Sequence, residues 1–194
     1  MKAIVDITQF RYSGNWKNFV YAVENGWYDA IEFVGICWYK TGENTSAVFG
    51  EGHEQFCYRF LESLLLKSPI KQVIFSIDIF YEKVRDEFLE FLELTTIPNI
   101  IIRKPAVPEN IYVPENAEEI ENDMIYFIAE ALGKNVNTIH FSLPDEYRND
   151  DTQEAFDFIE HCIRLNIERL AMIRRLLEQR VKAGPDVDKI IQEF

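Results

Sequence analysis

Short apolar segments that alternate with amphipathic helical segments constrain the fold of this chain more than any other feature. The segments with the length and β-branched composition of buried strands are residues 2–8, 30–38, 71–79, 100–103 and 136–141. Between them apolar residues recur at helical spacing, as Val84, Phe88 and Phe91 do. Strands that alternate with helices predict an α/β fold, because parallel neighbours need a helical crossover.

The predicted architecture is a largely parallel sheet of roughly four to six strands flanked by helices in three layers, because continuous apolar strands are typical of burial on both faces. It is Rossmann-like without a nucleotide loop, since neither GxGxxG nor GxxxxGK[ST] occurs. We expect residues 1–150 to form the α/β domain. Residues 151–194 are expected to be a helical extension packed on it, with a long helix at 152–182 and a short terminal helix.

Cysteine use and apolar run length predict a cytoplasmic protein without a membrane span. Cys37, Cys57 and Cys162 are widely spaced and form neither a disulfide framework nor a CxxC metal motif, as expected in a reducing compartment. Each is expected to be a small buried apolar residue. No apolar run approaches the length of about 18 residues typical of a transmembrane helix.

The negative net charge is concentrated in one segment. The formal net charge is −13, from 33 acidic and 20 basic residues. Residues 105–160 hold 14 acidic and 2 basic residues, whereas residues 162–182 hold 6 basic and 2 acidic ones. Such acidity disfavours nucleic acid as a partner and attracts basic surfaces. The acidic segment is therefore either a solvated face that keeps the protein soluble or a docking surface for a basic protein partner.

We hypothesise that the chain is an acidic protein-binding module without a cofactor, with an immunity- or antitoxin-type inhibitor as its concrete form. Neither HExxH nor GxSxG occurs, so the sequence does not favour an enzyme. Trp38 and Tyr39 are adjacent on a predicted strand, so one of them faces away from the core and can anchor a partner. The candidate partner-binding residues are Glu115, Glu118, Glu119, Glu121, Asp150, Asp151, Trp38 and Tyr39.

Acidic residues near predicted strand ends support an alternative, because open α/β sheets bind ligands at the carboxyl ends of their strands. The candidate ligands for Mg²⁺ or Mn²⁺ are Asp6, Asp78, Asp123 and Asp145. Three or four converging carboxylates would suit a divalent-metal-dependent nuclease or phosphodiesterase. The competing interpretation is that aspartates at strand ends cap the helices that follow.

The order of these segments resembles that of PIN and flap-endonuclease type nucleases over about residues 2–147. The matching parts are Ile4-Val-Asp-Ile-Thr8, Val73-Ile-Phe-Ser-Ile-Asp78, the Ile97-Pro98 step before a strand, and Glu121-Asn-Asp-Met-Ile125 before Ile139-His-Phe-Ser142. The acidic signature of that family is reduced here to Ile120-Glu-Asn-Asp123, and its later aspartate pair to Ser142-Leu-Pro-Asp145-Glu146. The resemblance implies a metal-dependent phosphodiester hydrolase.

The predicted long helix carries an apolar stripe with heptad-like spacing. Its members are Phe156, Ile159, Ile163, Asn166, Leu170, Ile173 and Leu177. A helix of this length spans about 45 Å, more than a domain of this size needs. It either lies across the sheet or forms a homodimer through the 152–182 helix, with Asn166 setting the register of the pair.

Overall fold

The structure of the protein is a computed structural model that describes residues 1–6, 13–34, 69–76, 82–104 and 115–183. Strands and α-helices alternate along these ranges. The strands are β1 (Lys2–Asp6), β2 (Ala30–Val34), β3 (Gln72–Ser76), β4 (Asn99–Ile102) and β5 (His140–Ser142). The α-helices are α1 (Ser13–Glu24), α2 (Glu82–Leu94), α3 (Ala117–Lys134) and α4 (Gln153–Ala183), and a 3₁₀ turn, Asp145–Tyr147, lies between β5 and α4.

The five described strands are all parallel and lie in the order β1-β2-β3-β4-β5. The predicted α/β fold, with a parallel sheet flanked by helices and a long C-terminal helix, is confirmed. The sequence did not predict the order of the strands, in which each strand lies next to the preceding one. The described sheet therefore has no point at which the strand order reverses, which is where doubly wound sheets bind ligands.

One face of the sheet and the described helices share a single hydrophobic core. Phe75 of β3 lies at its centre, with its ring centroid 5.5 Å from Phe33 of β2 and 5.1 and 5.6 Å from Phe88 and Phe91 of α2. Aromatic pairs at such separations contribute about 0.5–1.5 kcal/mol beyond their burial.

Buried asparagine side chains fix the junction of α2, α3 and α4. Asn135 follows α3, and its amide donates to the carbonyl oxygens of Leu92 (2.8 Å) and Thr95 (2.9 Å). Its Oδ1 accepts the backbone N–H of Thr138 at 2.8 Å. Asn166 of α4 donates to the carbonyl oxygens of Asn135 (3.0 Å) and Thr138 (2.9 Å). The prediction that Asn166 sets the register of a helix pair is wrong, because its amide is bonded within its own chain.

The helix α4 leaves the core after its first half. Phe156 and Ile159 are buried in the core, whereas every side chain of residues 171–180 is exposed. The predicted apolar stripe is thus covered by the domain at its beginning and uncovered towards its end. Neither α4 nor any other helix of the described ranges is long and apolar enough to cross a membrane.

Candidate partner-binding surface

Two acidic segments, residues 115–123 and 145–160, are joined by contacts between the middle of α3 and the residues that precede α4. Tyr126 of α3 donates its hydroxyl to the carbonyl oxygen of Asp151, which precedes α4, at 2.8 Å. One turn earlier in α3, the side-chain oxygen of Asn122 accepts from the amide of Asn149 at 3.2 Å. These bonds hold the first half of α3 against the segment between β5 and α4.

The carboxylates of these two segments form what we call the acidic surface. Its members are Glu115, Glu118, Glu119, Asp123, Asp145, Glu146, Asp150, Asp151, Glu154, Asp157 and Glu160, all of them exposed. Glu121 lies among them and is half-buried. Of the acidic residues predicted to bind a partner, Glu121 precedes Asn122, and Asp150 and Asp151 follow Asn149, so the bond between these two asparagines places the two segments side by side. The predicted aromatic anchors, Trp38 and Tyr39, lie outside the described residues.

Among the described residues, few cations offset the acidic surface. Arg148 donates to Glu160 Oε1 at 2.6 Å, and Lys104 lies 3.6 Å from Glu146. The hydrogen bond to Glu160 raises the pKa of Arg148, although burial opposes this. In the described part of the chain, Glu146 and Glu160 are the members of this surface that form ion pairs. The N-termini of α3 and α4 add only about half a positive charge each, so a large negative excess remains.

This arrangement can recognise positive charge over an extended area. The elements that carry these carboxylates are in contact, and the fields of carboxylates within the screening length of about 10 Å at 0.1 M salt add. A negative field speeds the encounter with a basic surface and fixes the orientation in which that surface docks. The field weakens as salt is added.

The predicted metal ligands do not converge in the described residues. Asp6 ends β1 at one edge of the sheet, whereas Asp145 follows β5 at the other edge. Four strand spacings of about 4.8 Å separate these edges by about 19 Å. Asp123 is exposed on α3, and Asp78 lies outside the described residues. Among the residues that the structure does describe, no group of three or more His, Cys, Asp or Glu side chains is arranged to hold a metal ion.

A second polar cluster, which the sequence analysis missed, lies on the sheet face opposite the core. Glu32 of β2 is only 8% exposed, and its Oε2 accepts from Lys2 Nζ at 2.7 Å. Its Oε1 accepts from Arg103 Nη1 at 2.9 Å and from Ser76 Oγ at 3.0 Å. The hydrogen bond from Lys2 lowers the pKa of Glu32, although burial opposes this. The cluster links β1, β2, β3 and the residue after β4.

The signal for this cluster was a glutamate inside an apolar strand. Side chains alternate along a strand, so Glu32 has to point away from the face that buries Ile31 and Phe33. A carboxylate in that position needs cationic or hydrogen-bonding partners when it is buried. Because its partners here are other residues of the chain, we assign the cluster a structural role.

Comparisons with known proteins agree with the fold and leave the function open. No protein-family model matches the chain, and no curated protein matches it. Among solved structures, the chain is similar to one described as Leiomodin-1 Actin-Binding Site 2, with a TM-score of 0.53 and 11% sequence identity. That likeness covers 93% of this chain and 88% of the other. At this identity, it shows a shared α/β fold alone.

Proposed function

We propose that this chain is a protein-binding module that docks a basic protein on its acidic surface. The observation that carries the proposal is the contact of two acidic segments through Tyr126 and Asn149. Of the eleven exposed carboxylates on these segments, only two form ion pairs within the described residues. Complementary charge across an interface raises the association rate and selects the partner. An immunity- or antitoxin-type inhibitor of a basic enzyme is the concrete form that we propose.

Exposed aromatic rings on α3 and α4 support the proposal. Tyr126 and Phe127 of α3 and Phe158 of α4 are each about half exposed. Interfaces combine such rings, which bury a large area at a small entropic cost, with a polar rim. The solved structure of similar fold is by its own description an actin-binding site, so the fold serves protein binding elsewhere.

We expect the module to act in the cytoplasm. Burial raises the pKa of the Cys162 thiol, so this cysteine stays protonated and unreactive at neutral pH. A free, buried thiol is typical of proteins from a reducing compartment.

Charge reversal on the acidic surface tests the proposal. The immobilised chain is used to capture proteins from a native lysate, in parallel with Glu119→Lys/Asp150→Lys and with a control, Glu24→Lys/Glu90→Lys. All four residues are exposed, so the two variants change the net charge equally and differ only in where they do so. We expect a basic protein that the wild type and the control retain and the first variant loses. Equal retention by both variants would refute the proposal.

The metal-dependent nuclease or phosphodiesterase stays a sequence-based prediction. Two of its four candidate ligands, Asp6 and Asp145, lie at opposite edges of the described sheet, and Asp78 lies outside the described residues. Isothermal titration with Mg²⁺ or Mn²⁺ tests it, and an absence of binding heat would count against it.

A further inference from the structure

Exposed apolar side chains follow the line along which α3 and α4 pack together. We call Tyr126 of α3 and Phe158 and Leu165 of α4, which are 44%, 45% and 48% exposed, the apolar row. Tyr126 lies at the start of α4, because its hydroxyl donates to the carbonyl oxygen of Asp151 at 2.8 Å. The Phe158 ring lies over Gly133 of α3, 3.1 Å from the position of a Cβ there. Leu165 follows Phe158 by two helical turns and so lies on the same side of α4.

The members of the apolar row are evenly spaced. Gly133 comes seven residues after Tyr126 in α3. Their contacts on the α4 side, Phe158 and Asp151, are also seven residues apart, so the two helices run side by side in the same direction. At a rise of 1.5 Å per residue, Tyr126 and Phe158 therefore lie about 10 Å apart along the pair of helices, and Leu165 lies about 10 Å further on.

This spacing favours a helix as the ligand, rather than an extended segment. Residues seven apart in an α-helix are separated by about 10.5 Å and lie on nearly the same side. In an extended segment, a distance of about 10 Å corresponds to three residues, and side chains three residues apart point to opposite faces. A helix packed along the junction of α3 and α4 can thus contact all three members of the apolar row with side chains of one face.

Carboxylates flank the apolar row at its first two members. Helical residues three or four positions apart are neighbours on the surface. By this rule Asp123 lies beside Tyr126 on α3, whereas on α4 it is Glu154 that lies beside Phe158. Both carboxylates are exposed and form no ion pair within the described part of the chain. Glu130 also lies beside Tyr126, with a lysine 3.7 Å away. A ligand of this row is therefore complementary in charge when it carries cations next to its apolar side chains.

We infer that the apolar row binds one amphipathic α-helix of a basic protein, with the apolar face of that helix on the row and its lysine or arginine side chains beside Asp123 and Glu154. Amphipathic helices bind apolar grooves of proteins in this way. The carboxylates disfavour two other ligands, because a second copy has the same net charge of −13 and an anionic membrane surface is repelled as well. The inference rests on the proposed function, because it names the part of the basic protein that docks.

A synthetic peptide tests the inference on the full chain. The probe is a fluorescently labelled helix of about 18 residues, with leucine at every seventh position, lysine at the flanking positions and alanine elsewhere. Its dissociation constant is measured by fluorescence anisotropy for the wild type, for Phe158→Ala, for Leu165→Ala and for a control, Leu94→Ala. Leu94 is 54% exposed at the end of α2, and α3 packs between that helix and α4.

We expect each substitution in the apolar row to raise the dissociation constant of the peptide at least about fivefold, and the control to leave it unchanged. All three substitutions truncate an exposed side chain, so circular dichroism should show the same folded chain in each variant. A wild type that does not bind the peptide, or equal effects of Leu165→Ala and Leu94→Ala, would overturn the inference.

Two further peptides test the spacing and the charge separately. The first keeps the composition of the probe but places the leucines out of the seven-residue repeat, and the second has glutamate in place of lysine. We expect both to bind at least about tenfold more weakly than the probe. Equal binding of either peptide would overturn the inference, because the row would then recognise neither a regular helix face nor a basic one.

Sedimentation equilibrium of the wild type without peptide tests a second copy as the ligand. The inference requires a monomer, in which the apolar row is free to bind a helix of another protein. A dimer that dissociates in Phe158→Ala would place a second copy on the row and overturn the inference.

These results separate the two proposals. A chain that does not bind the peptide but still captures a basic protein through Glu119 and Asp150 removes the helix site and leaves the proposed function standing. Binding of the peptide that depends on Phe158, in a chain whose capture of basic proteins ignores the acidic surface, removes the proposed function instead.

Discussion

Replacing Asn135 by alanine should destabilise the protein more than any other asparagine substitution in the described residues. The side chain is 3% exposed and makes four hydrogen bonds, to the carbonyl oxygens of Leu92 and Thr95 and from the N–H groups of Asn137 and Thr138, at 2.8–2.9 Å. Each bond contributes about 0.5–1.5 kcal/mol, and buried groups left without a partner add to the cost. We therefore expect a loss of about 3–5 kcal/mol in the free energy of unfolding, of the size of a large mutational effect.

Urea unfolding followed by far-ultraviolet circular dichroism measures this loss, because the helices that Asn135 joins dominate the signal. The urea concentration at the unfolding midpoint should fall, while the slope of the unfolding free energy against urea concentration stays unchanged, since the surface exposed on unfolding is the same. Asn137→Ala is the matched control: this side chain is exposed and makes one long bond, 3.3 Å to the carbonyl oxygen of Thr95. We expect the control to lose less than about 0.5 kcal/mol. Equal losses in the two variants would refute the role of the buried bonds.

Three further predictions concern other positions. The pKa of Glu32 is lowered in the folded state, so the contribution of this carboxylate to stability is fully present above its ordinary pKa of 4.5 and is lost as the pH falls through the lowered pKa. The difference in unfolding free energy between the wild type and Glu32→Gln should thus shrink below about pH 4, and a constant difference would contradict this. Gly133→Ala should stabilise the protein by up to about 1 kcal/mol in thermal unfolding, because alanine favours a helix more than glycine does. The Phe158 ring, 3.1 Å from the new Cβ, is 45% exposed and can shift to make room. Thr152→Ala should lower the free energy of unfolding in urea by about 1–3 kcal/mol, because the buried hydroxyl donates to the carbonyl oxygen of Tyr147 at 2.6 Å. Thr152→Ser keeps the hydroxyl and should retain most of this stability.

Local pattern predicted where most of the described elements lie but not the order of the strands, and β5 (His140–Ser142) overlaps its predicted segment, 136–141, at two residues only. The strand β2 lies inside the predicted segment 30–38, and β3 inside 71–79, because β-branched runs and their spacing are properties of neighbouring residues. The order of the strands depends on which way each crossover turns, which no local pattern records. That order is what places Asp6 and Asp145 at opposite edges, although both follow the rule for strand ends.

Long-range bonds explain the remaining differences between sequence and structure. Arg103, which pairs with Glu32, is 71 residues away, so a glutamate inside an apolar strand indicated a buried carboxylate but not the residues that bond to it. The heptad spacing of α4 suggested a helix partner for Asn166, but its amide bonds to backbone carbonyl oxygens 28 and 31 residues away. The acidic segment 105–160 was evident from charge alone, whereas the contact that joins its two acidic parts depends on Tyr126.

The most direct test of the central claim is the salt dependence of the affinity for the captured basic protein. The dissociation constant is measured at about 50 and 200 mM salt for the wild type, for Glu119→Lys/Asp150→Lys and for Glu24→Lys/Glu90→Lys. We predict that binding by the wild type and the control weakens with salt, and that reversal on the acidic surface weakens it at least about tenfold at low salt, equivalent to 1.4 kcal/mol. An affinity that is independent of salt and equal in the two variants would contradict the claim.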